Sequence, residues 1–568
     1  MATLLTEISG RMRVALEKAG FTEADPGVAP AADARFGDYQ SNAAMVLAKQ
    51  ARRNPREVAS AILAKLDITD LCAPPTVAGA GFINFTMRRD RLGNRVTSLF
   101  TDDRLGVPAA DPAQTVVIDF SAPNVAKPMH VGHIRSTILG DALARTARFL
   151  GHRVLTDNHI GDWGTQFGKV IYGWKHRLDR AALERAPVTE LVRLYKETNA
   201  LSETDPGVLT ECREELVKLQ AGDPENLAIW KECVALSWRE FEAIYERLGI
   251  QFDAHLGESF YNDRLAPLVD RLLASGLAER SDGAVCIFFR DRPALADKPC
   301  LIRKGDGGFL YATTDLATLD YRVEQWNPDA IWYVTGAPQL LHFQQVFESA
   351  RRMGHTVAME HIPFGSILGE DRKIMKTRSG ENVGLREVLD EGVSRALAAV
   401  TTKNPDMDPA ERAQIADIIG IGAVKYAELS QFRMTDYIFA WDKLLALQGN
   451  TAPYLQNAYV RIRSIFRKAA DSTVGGTITV TEDAEARLGL HLCRYAETVP
   501  LVLDEFRPNI LTAYLFELAN AFHAFYEACP VLKSDEPTRG SRLALCELTA
   551  RTLQHGLALL GIRVPERM

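Results

Sequence analysis

One strand–loop–helix segment constrains the fold of this chain more than any other feature. The letters TVVIDFSA at residues 115–122 predict a buried strand, Pro123 and Asn124 signal a turn, and apolar residues recur at helical spacing from His130 onward. Gly151 ends that helix, and the letters RVLTDNHIG begin a second strand. This order predicts a βαβ unit, from which doubly wound parallel sheets are built. We therefore expect an α/β fold with its ligand crevice where the first strand ends.

The loop of that segment ends in the string His-Val-Gly-His at residues 130–133, where the helix begins. The first turn of a helix offers unpaired N–H groups and a positive dipole end, which suits phosphate. His130 and His133 can donate hydrogen bonds to triphosphate oxygens, and Gly132 lets a flat base or sugar lie against the backbone because it lacks a Cβ. Two such histidines are often ordinary packed or solvated residues, so the position after the first strand matters most. The residues alone predict nucleotide binding with phosphate chemistry and leave the substrate open.

The remaining patterns divide the chain into three parts. Residues 105–114 are rich in Pro and Ala and indicate a linker, and the segment 175–260 has long charged helical patterns that indicate an insertion between two halves of the sheet. Nearly everything beyond residue 407 has a helical pattern. We expect an N-terminal domain over residues 1–108, a catalytic domain over 109–406 and a helical domain over 407–568.

Composition narrows the class of protein and its compartment. No stretch approaches roughly 18 uninterrupted apolar residues, which predicts no transmembrane helix and no membrane partner. The N-terminal pattern is amphipathic and partly acidic, unlike a signal peptide. The 8 cysteines form no CxxC pair and no Cys/His cluster, so we expect reduced thiols, no bound zinc and a cytoplasmic location. The net charge of −7 argues mildly against nucleic-acid binding, but a large acidic protein can still carry a basic stripe.

The string SAPNVAKPMHVGHIRST at residues 121–137 resembles the HIGH signature of class I aminoacyl-tRNA synthetases and, at full length, that of the arginyl-tRNA synthetases. Further stretches resemble segments of that family in the same order: residues 36–44, 309–322 and 449–465 and the C-terminal LLGIRVPERM. The resemblance spans nearly the whole chain. It implies a ligase that activates L-arginine with ATP, releases pyrophosphate, and transfers arginine from the adenylate to the 3′-terminal adenosine of tRNA(Arg).

The resemblance also implies an architecture, cofactors and partners. The expected fold has a Rossmann-like, doubly wound parallel-sheet catalytic domain with a helical insertion. An N-terminal α+β domain is expected to bind the tRNA elbow, and a C-terminal all-α domain the anticodon. ATP is a substrate, Mg²⁺ accompanies it, and no protein-bound zinc is expected. The partners are tRNA(Arg), L-arginine and ATP, the protein acts as a monomer, and tRNA has to be bound before arginine is activated efficiently.

Several residues are implied on the ATP side of the site. His130 and His133 hold ATP beside Gly132 and stabilise the reacting phosphate as pyrophosphate leaves. The second family signature, KMSKS, corresponds to DRKIMKTRSGENV at residues 371–383, where the usual second lysine is out of register. Lys127, just before the histidines, is expected to supply the missing charge. On composition alone, the 371–383 stretch is a solvated polar loop. The other ATP-binding candidates are His342, Lys373, Lys376 and Arg378.

The expected pocket for arginine has to hold a planar guanidinium, which is best bound by a carboxylate that accepts two parallel N–H bonds. Tyr311 and Asp315 lie four residues apart on a predicted helix, so Asp315 is expected to pair with the guanidinium and Tyr311 to wall the pocket. The resemblance adds Gln339 as an acceptor, Asn124 beside the α-amino group or carboxylate, and Asp119 as an acid facing the substrate. Without the family match, Asp315 is a helix-start or surface carboxylate and Tyr311 a core aromatic. The stretch GDWGTQFG supplies two more candidates, Asp162 and Gln166.

Two surfaces are expected to contact tRNA. Phe82 and Asn84, in the alternating stretch GAGFINFTM, combine a ring with an amide and suit an unpaired base, although Phe82 fits a sheet core about as well. In the C-terminal region, Arg461 and Arg463 stand among tyrosines, a combination that suits an RNA backbone and unstacked bases. A solvated amphipathic helix is the alternative there.

Two other functions fit part of the pattern. A small-molecule nucleotidyltransferase would share the HxGH loop but needs neither a helical C-terminal domain nor an RNA-reading N-terminal one. A non-enzymatic RNA-binding relative should have lost catalytic residues, whereas His130, His133 and Asp315 are all present. Pyrophosphate exchange that requires both arginine and tRNA separates these functions from the ligase.

Overall fold

The computed structural model describes residues 2–369, 372–373, 383–469 and 476–568. The chain forms two compact units. The first contains Met1–Ala109, Ala446–Leu559 and Arg563–Met568, and the second contains Ala110–Leu445 with Leu560–Ile562. Both ends of the chain therefore contribute to the first unit, and the second unit contains the HxGH segment.

The N-terminal part of the first unit is an α+β fold built on an antiparallel sheet. Its strands are β1 Val28–Pro30, β2 Tyr39–Ser41, β3 Thr76–Ala78 and β4 Phe82–Phe85, in the order β1-β2-β4-β3. Its helices are α1 Leu4–Lys18, α2 Ala43–Ala51, α3 Pro55–Leu63 and α4 Arg89–Phe100. Local residues define their starts: Asn54 caps α3 by accepting from the Arg56 N–H, and Pro55 takes the first helical position, where no N–H is needed.

The second unit opens with the predicted βαβ segment. β5 Thr115–Asp119, α5 Val131–Leu150 and β6 Arg153–Asp157 follow one another, and Gly151 ends α5 with a φ of 98°. The insertion consists of α6 Gln166–Arg177, α7 Arg180–Arg185, α8 Pro187–Thr204, α9 Pro206–Gln220 and α10 Pro224–Leu248. Its apolar faces form a core that includes Phe167 and Leu191 together with Val125 and Ala126 of the β5–α5 loop. The insertion therefore supports the loop that leads to the histidines.

The chain then returns to the sheet. α11 Asn262–Ala274 and a three-stranded antiparallel sheet, formed by β7 Glu279–Ser281, β8 Ala284–Ile287 and β9 Cys300–Arg303, precede α12 Tyr311–Trp326. β10 Ala330–Tyr333, α13 Leu340–Arg352 and β11 Ala358–His361 follow. The parallel sheet has the order β11-β10-β5-β6, so the direction of winding reverses between β5 and β10. This confirms the predicted doubly wound parallel sheet, and such a reversal is where α/β proteins bind their ligands.

The last elements of the second unit are β12 Ile367–Leu368, α14 Leu385–Lys403, α15 Pro409–Leu429, β13 Tyr437–Ile438 and α16 Trp441–Leu444. α15 is buried on all sides from Ile418 to Leu429, as expected of a helix inside a large core. It packs closely on α14, because a Cβ on Gly420 would lie 2.7 Å from the Gly392 carbonyl. Residues 407–445, which the helical pattern placed with the C-terminal domain, thus belong to the second unit.

The C-terminal part of the first unit is helical, as predicted. It consists of α17 Ala452–Ala469, α18 Asp483–Asp504, α19 Pro508–Ala528 and α20 Thr538–Leu559. All 8 cysteines of the chain are buried free thiols. None of the helices in the described ranges combines the length and the apolar character needed to cross a bilayer.

Candidate active site

Two histidines open α5 in a reciprocal hydrogen-bonded arrangement. His130 is the N-cap residue: its Nδ1 accepts from the Gly132 N–H at 3.1 Å, and its own N–H donates to Nδ1 of His133 at 3.1 Å. Because each ring uses Nδ1 as an acceptor, the proton of each neutral imidazole lies on Nε2. The pair therefore offers two Nε2–H donors at the positive end of a helix.

Both imidazoles are uncharged at neutral pH. Burial lowers the pKa of His133 to about 3, and the adjacent His130 adds to the shift. Burial also lowers the pKa of His130, and the Lys127 ammonium lowers it further. Donors that stay neutral and fixed suit negative charge that develops on a ligand, because they need no reorganisation when it forms.

The loop between β5 and α5 is held in a strained conformation. Ser121, Ala122 and Ala126 have φ values of 75°, 46° and 59°. Each costs on the order of 1–3 kcal/mol in a residue other than glycine. Two α5 side chains hold the loop: Ser136 Oγ accepts from the Ser121 N–H at 2.8 Å, and Thr137 Oγ1 donates to Ser121 Oγ at 2.8 Å. Strain maintained in this way is typical of functional sites.

Asn124 is positioned by close contact with the segment after β6. It forms a parallel bridge with Gly161, in which the Val125 N–H donates to Gly161 O at 3.0 Å and the Gly161 N–H donates to Pro123 O at 3.0 Å. A Cβ on Gly161 would lie 2.2 Å from Asn124 Oδ1, so glycine leaves room for the amide. These backbone bonds place the exposed Asn124 just beyond the ends of β5 and β6.

The start of α12 and the start of α13 meet at Asp315. Tyr311 and Asp315 stand one turn apart on α12, as predicted, and Tyr311 is 73% exposed. His342 Nε2 lies 2.5 Å from Asp315 Oδ2. Burial alone would lower the pKa of His342, but its hydrogen bond to Asp315 and the charge of that carboxylate raise it overall. His342, expected on the ATP side, is therefore beside Asp315, and Gln339 is exposed in the short turn before α13.

Asp119, at the end of β5, forms a buried ion pair with an arginine of the chain itself. Arg322 Nη2 donates to Asp119 Oδ2 at 2.6 Å and to Asp157 Oδ2 at 2.9 Å. Asp119 and Asp157 are the last residues of β5 and β6, so these bonds fix α12 to the strand ends. Arg322 lies two turns after Asp315 on the same helix. The family resemblance implies that Asp119 faces a substrate, whereas in the structure Arg322 engages its carboxylate. The seven-residue spacing puts Arg322 on the same face of α12 as Asp315, but it does not identify Asp119 as its partner.

Glu258 is a half-buried acid that no pattern in the sequence marks. It lies in a short 3-10 helix, Glu258–Tyr261, after the insertion. Burial raises the pKa of Glu258 to about 7; His159 opposes the shift, and the carboxylates of Asp315 and Asp162 add to it. Asp162 is itself buried and accepts from the Ser259 N–H at 2.8 Å. Neighbouring carboxylates that disfavour each other's ionisation form a site suited to a cation.

The histidines and Asp315 border the same edge of the parallel sheet. Ser136 Oγ donates to Val334 O at 2.6 Å, which joins α5 to the end of β10. The Glu258 N–H donates to Ile160 O at 3.1 Å, next to the bridge between Gly161 and Asn124. The start of α5 and the acidic cluster around Glu258 thus both lie at the strand ends where the winding of the sheet reverses.

Of the lysines predicted to bind ATP, the structure describes Lys127 and Lys373. Lys127 is exposed, and its Nζ lies 5.8 Å from the centre of the Tyr195 ring on α8. The carbonyl of Lys373 accepts from the Gly369 N–H at 2.8 Å. Lys376 and Arg378 lie outside the described residues, so their part in ATP binding stays a prediction.

The residues predicted to contact RNA differ in accessibility. Phe82 is half-buried on β4, and Asn84 on the same strand is 5% exposed. This burial does not favour direct RNA contact by Asn84. On α17, Arg461 is exposed, whereas Arg463 forms an ion pair with Glu547 at 3.0 Å. Arg461 is therefore the most accessible of the four.

Known families match all three parts of the chain. Residues 95–441 match the family described as tRNA synthetases class I (R), catalytic domain. Residues 455–568 match the DALR anticodon binding domain, and residues 6–87 match the arginyl tRNA synthetase N terminal domain.

Full-length relatives and solved structures agree with these matches. The chain is 48% identical to the arginine–tRNA ligase of Thermobifida fusca and 45% identical to that of Synechococcus elongatus, over 100% of both chains in each pair. The arginyl-tRNA synthetase from Plasmodium falciparum superposes with a TM-score of 0.85 at 28% identity, over 100% of both chains. That from Thermus thermophilus superposes with a TM-score of 0.84 at 24% identity, again over 100% of both chains, and supports the fold.

Proposed function

This chain belongs to the arginyl-tRNA synthetase family of class I synthetases and is a ligase that joins arginine to tRNA, and from this we propose how its own residues carry out the reaction. In the first step, the arginine carboxylate attacks the α-phosphorus of Mg·ATP, the bond from that phosphorus to the bridging oxygen breaks, and pyrophosphate leaves. In the second step, the 2′-hydroxyl of the terminal adenosine of tRNA(Arg) attacks the carbonyl carbon of the adenylate. AMP leaves, and the hydroxyl proton is lost.

His130 and His133 stabilise the first transition state through their Nε2–H groups. Negative charge grows on the α-phosphate oxygens as the phosphorus becomes pentavalent, so fixed neutral donors bind the transition state more tightly than ATP. The Nδ1 hydrogen bonds that fix both rings support this role. Lys127 adds a positive charge beside the same helix start, and Gly132 lets the nucleotide approach the backbone.

Asp315 binds the guanidinium of arginine. Glu258 and Asp162 add negative potential, Tyr311 walls the pocket, and Asn124 holds the α-amino group or carboxylate. The observation that carries this proposal is the acidic cluster around Asp315 at the sheet edge that also bears the two Nε2–H donors. Gln339, in the turn before α13, is an additional acceptor for the guanidinium.

Gly161→Ala is expected to raise KM for arginine by about tenfold while the protein stays folded, because the new Cβ displaces only the end of the Asn124 side chain. Steady-state aminoacylation measures the effect. Asn124→Ala should give a similar rise, and the double variant should be little worse than either single one, because both act through the same amide. Full additivity of the two effects would contradict this coupling.

Arginine should bind more tightly as pH rises from 6 to 8. In the free enzyme, Glu258 has a pKa of about 7 and His342 has a raised pKa, so both are partly protonated near neutrality. A bound guanidinium favours the ionised carboxyl and the neutral imidazole, so binding releases protons at low pH. We expect Kd to fall about threefold to tenfold over this range. Equilibrium dialysis should show a flatter profile for Glu258→Gln, and an unchanged profile would contradict the role of Glu258.

Cofactors and partners follow from the same reaction. Mg²⁺ enters with ATP as part of the substrate; among the described residues, no group of three or more His, Cys, Asp or Glu side chains is arranged to hold a metal ion. The N-terminal part of the chain binds the tRNA elbow through Phe82, and α17 binds the anticodon region through Arg461. We further propose that the enzyme works as a monomer in the cytoplasm.

Pyrophosphate exchange tests the proposal as a whole. Exchange into ATP is expected with arginine and tRNA together, and aminoacylation with each of the twenty amino acids is expected to succeed only with arginine. Efficient exchange without tRNA would contradict the proposed tRNA requirement, and esterification of another amino acid would contradict the assignment of the acidic pocket.

A further inference from the structure

Arg135 is a buried cation that the proposed reaction does not use. It follows His133 by two residues, in the second half of the HVGHIRST string, and is 1% exposed. Burying a guanidinium is costly unless its charge and hydrogen bonds are matched, so its partners indicate what the residue does.

Those partners lie on elements far along the chain. Arg135 Nε is hydrogen-bonded to the carboxylate of Glu428 on α15, which is 4% exposed, and its Nη1 donates to Thr435 O at 3.0 Å. The guanidinium also stacks over the Tyr437 ring at 5.3 Å and lies 6.0 Å from the centre of the Phe364 ring. Arg135 thus lies against Phe364, just before β12, and against Tyr437 in β13.

The β12–β13 pair leads to Lys373. Ile367 and Leu368 pair in parallel with Tyr437 and Ile438, and the Gly365 N–H donates to Arg433 O at 2.9 Å. Directly after β12, the Gly369 N–H donates to the carbonyl of Lys373 at 2.8 Å. The backbone of Lys373 is therefore joined through β12 and β13 to the residues that Arg135 binds.

Residues 383–385, further along the chain, pair with the start of α5. His130 forms an antiparallel bridge with Gly384, the Val131 N–H donates to Val383 O at 2.8 Å, and the Leu385 N–H donates to Met129 O at 2.9 Å. The first turns of α5 therefore hold residues 383–385 through the backbone, and Arg135 connects α5 to β13 and, through β13, to residues 365–368.

We propose that Arg135 is a positioning residue: with Glu428 it holds β12 and β13 against α5, so that Lys373 and the two histidines are aligned on one triphosphate. This inference rests on the proposed ATP role of His130 and His133. The planar guanidinium suits the task because it binds a carboxylate and a carbonyl in fixed directions while stacking on an aromatic ring.

The test compares two double variants. Arg135→Met with Glu428→Met removes both charges and leaves apolar side chains, which a core often tolerates. Arg542→Met with Glu485→Met is the matched control, since that buried ion pair, 2.7 Å long, lies in the other compact unit. Glu485 also caps α18, so the control should lose at least as much stability. Pyrophosphate exchange gives kcat and KM for ATP, equilibrium dialysis gives Kd for arginine, and thermal melting reports folding.

The Arg135/Glu428 variant should lose about 100-fold in kcat/KM for ATP, because Lys373 and the two histidines are still present but no longer aligned. Kd for arginine should stay within about twofold of wild type. Arg135→Lys, which keeps the charge in a folded protein but loses the planar fork, should fall between wild type and the double variant. The control should keep kcat/KM for ATP despite a lower melting temperature. An Arg135/Glu428 variant with the ATP kinetics of the control would overturn the inference.

His133→Ala separates this inference from the proposed function. If His133→Ala lowers kcat for exchange and the Arg135/Glu428 variant does not, the positioning role alone fails. If His133→Ala has no effect, the proposed ATP site itself is wrong. Lys373→Ala should also lose less in the Arg135/Glu428 background than in wild type, and equal losses in both backgrounds would count against alignment of Lys373 by Arg135.

Discussion

Asp315→Asn is expected to lower kcat/KM for arginine by roughly 10³-fold, or about 4 kcal/mol, because a guanidinium left without its carboxylate stays desolvated and unpaired. The amide has the shape of the carboxylate but no charge, and its NH₂ group repels the N–H groups of the substrate. KM for ATP should change by less than about threefold, since the histidines proposed to bind the phosphates are untouched. Aminoacylation at varied arginine and at varied ATP measures both parameters.

Asp320→Asn is a matched control for this prediction. Asp320 lies on the same helix and, like Asp315, accepts a hydrogen bond from a histidine: His355 Nε2 lies 2.7 Å from its Oδ1. Replacing Asp320 with Asn should lower the melting temperature but leave kcat/KM for arginine within about threefold of wild type. If Asp315→Asn also kept kcat/KM within about tenfold of wild type, the guanidinium would have to bind another acid, and Glu258 would be the first candidate.

His133→Ala is expected to slow adenylate formation by about 10²- to 10³-fold without changing Kd for arginine, because a donor to the pentavalent phosphate is worth most in the transition state. Single-turnover formation of the adenylate measures this step. His133→Asn, whose amide N–H can reach part of the same space, should recover some of the rate. With a His133 pKa of about 3, no titration of this imidazole should appear in the rate between pH 6 and 9.

His152→Ala controls for the loss of a histidine ring. His152 lies in the same unit, and its Nδ1 likewise accepts a backbone N–H, that of Gln114, at 3.1 Å. It should form adenylate at the wild-type rate. His133→Ala with a wild-type rate would show that the phosphate is stabilised elsewhere. His130→Ala is a less clean test, because His130 also caps α5 and its loss should destabilise the helix.

The parts of the site that sequence reasoning predicted are local in the chain. The strand, loop and histidines that form the helix start lie within residues 115–133, so their relative placement follows from strand and helix geometry. Tyr311 and Asp315 share a face because they are four residues apart on one helix. In both cases the local strand or helix periodicity sets the relative placement of the residues, and contacts with distant segments do not change it.

The parts that were not predicted depend on contacts between distant segments. Asp119 and Arg322 are 203 residues apart, and nothing in either strand or helix pattern marks them as partners. Glu258 follows an irregular stretch, and its raised pKa depends on partial burial and on the nearby carboxylates of Asp315 and Asp162. Residues 407–445 have a helical pattern like that of the C-terminal helices, and periodicity does not say which core a helix joins.

A structure of the full chain with a non-hydrolysable arginyl-adenylate analogue, in which a sulfamoyl group replaces the phosphate, tests the central claim most directly. The account predicts guanidinium nitrogens about 2.7–2.9 Å from the Asp315 carboxylate oxygens, and a sulfamoyl oxygen within hydrogen-bond distance of Nε2 of His130 or His133. A guanidinium bound away from Asp315, or a sulfamoyl group out of reach of both histidines, would contradict it.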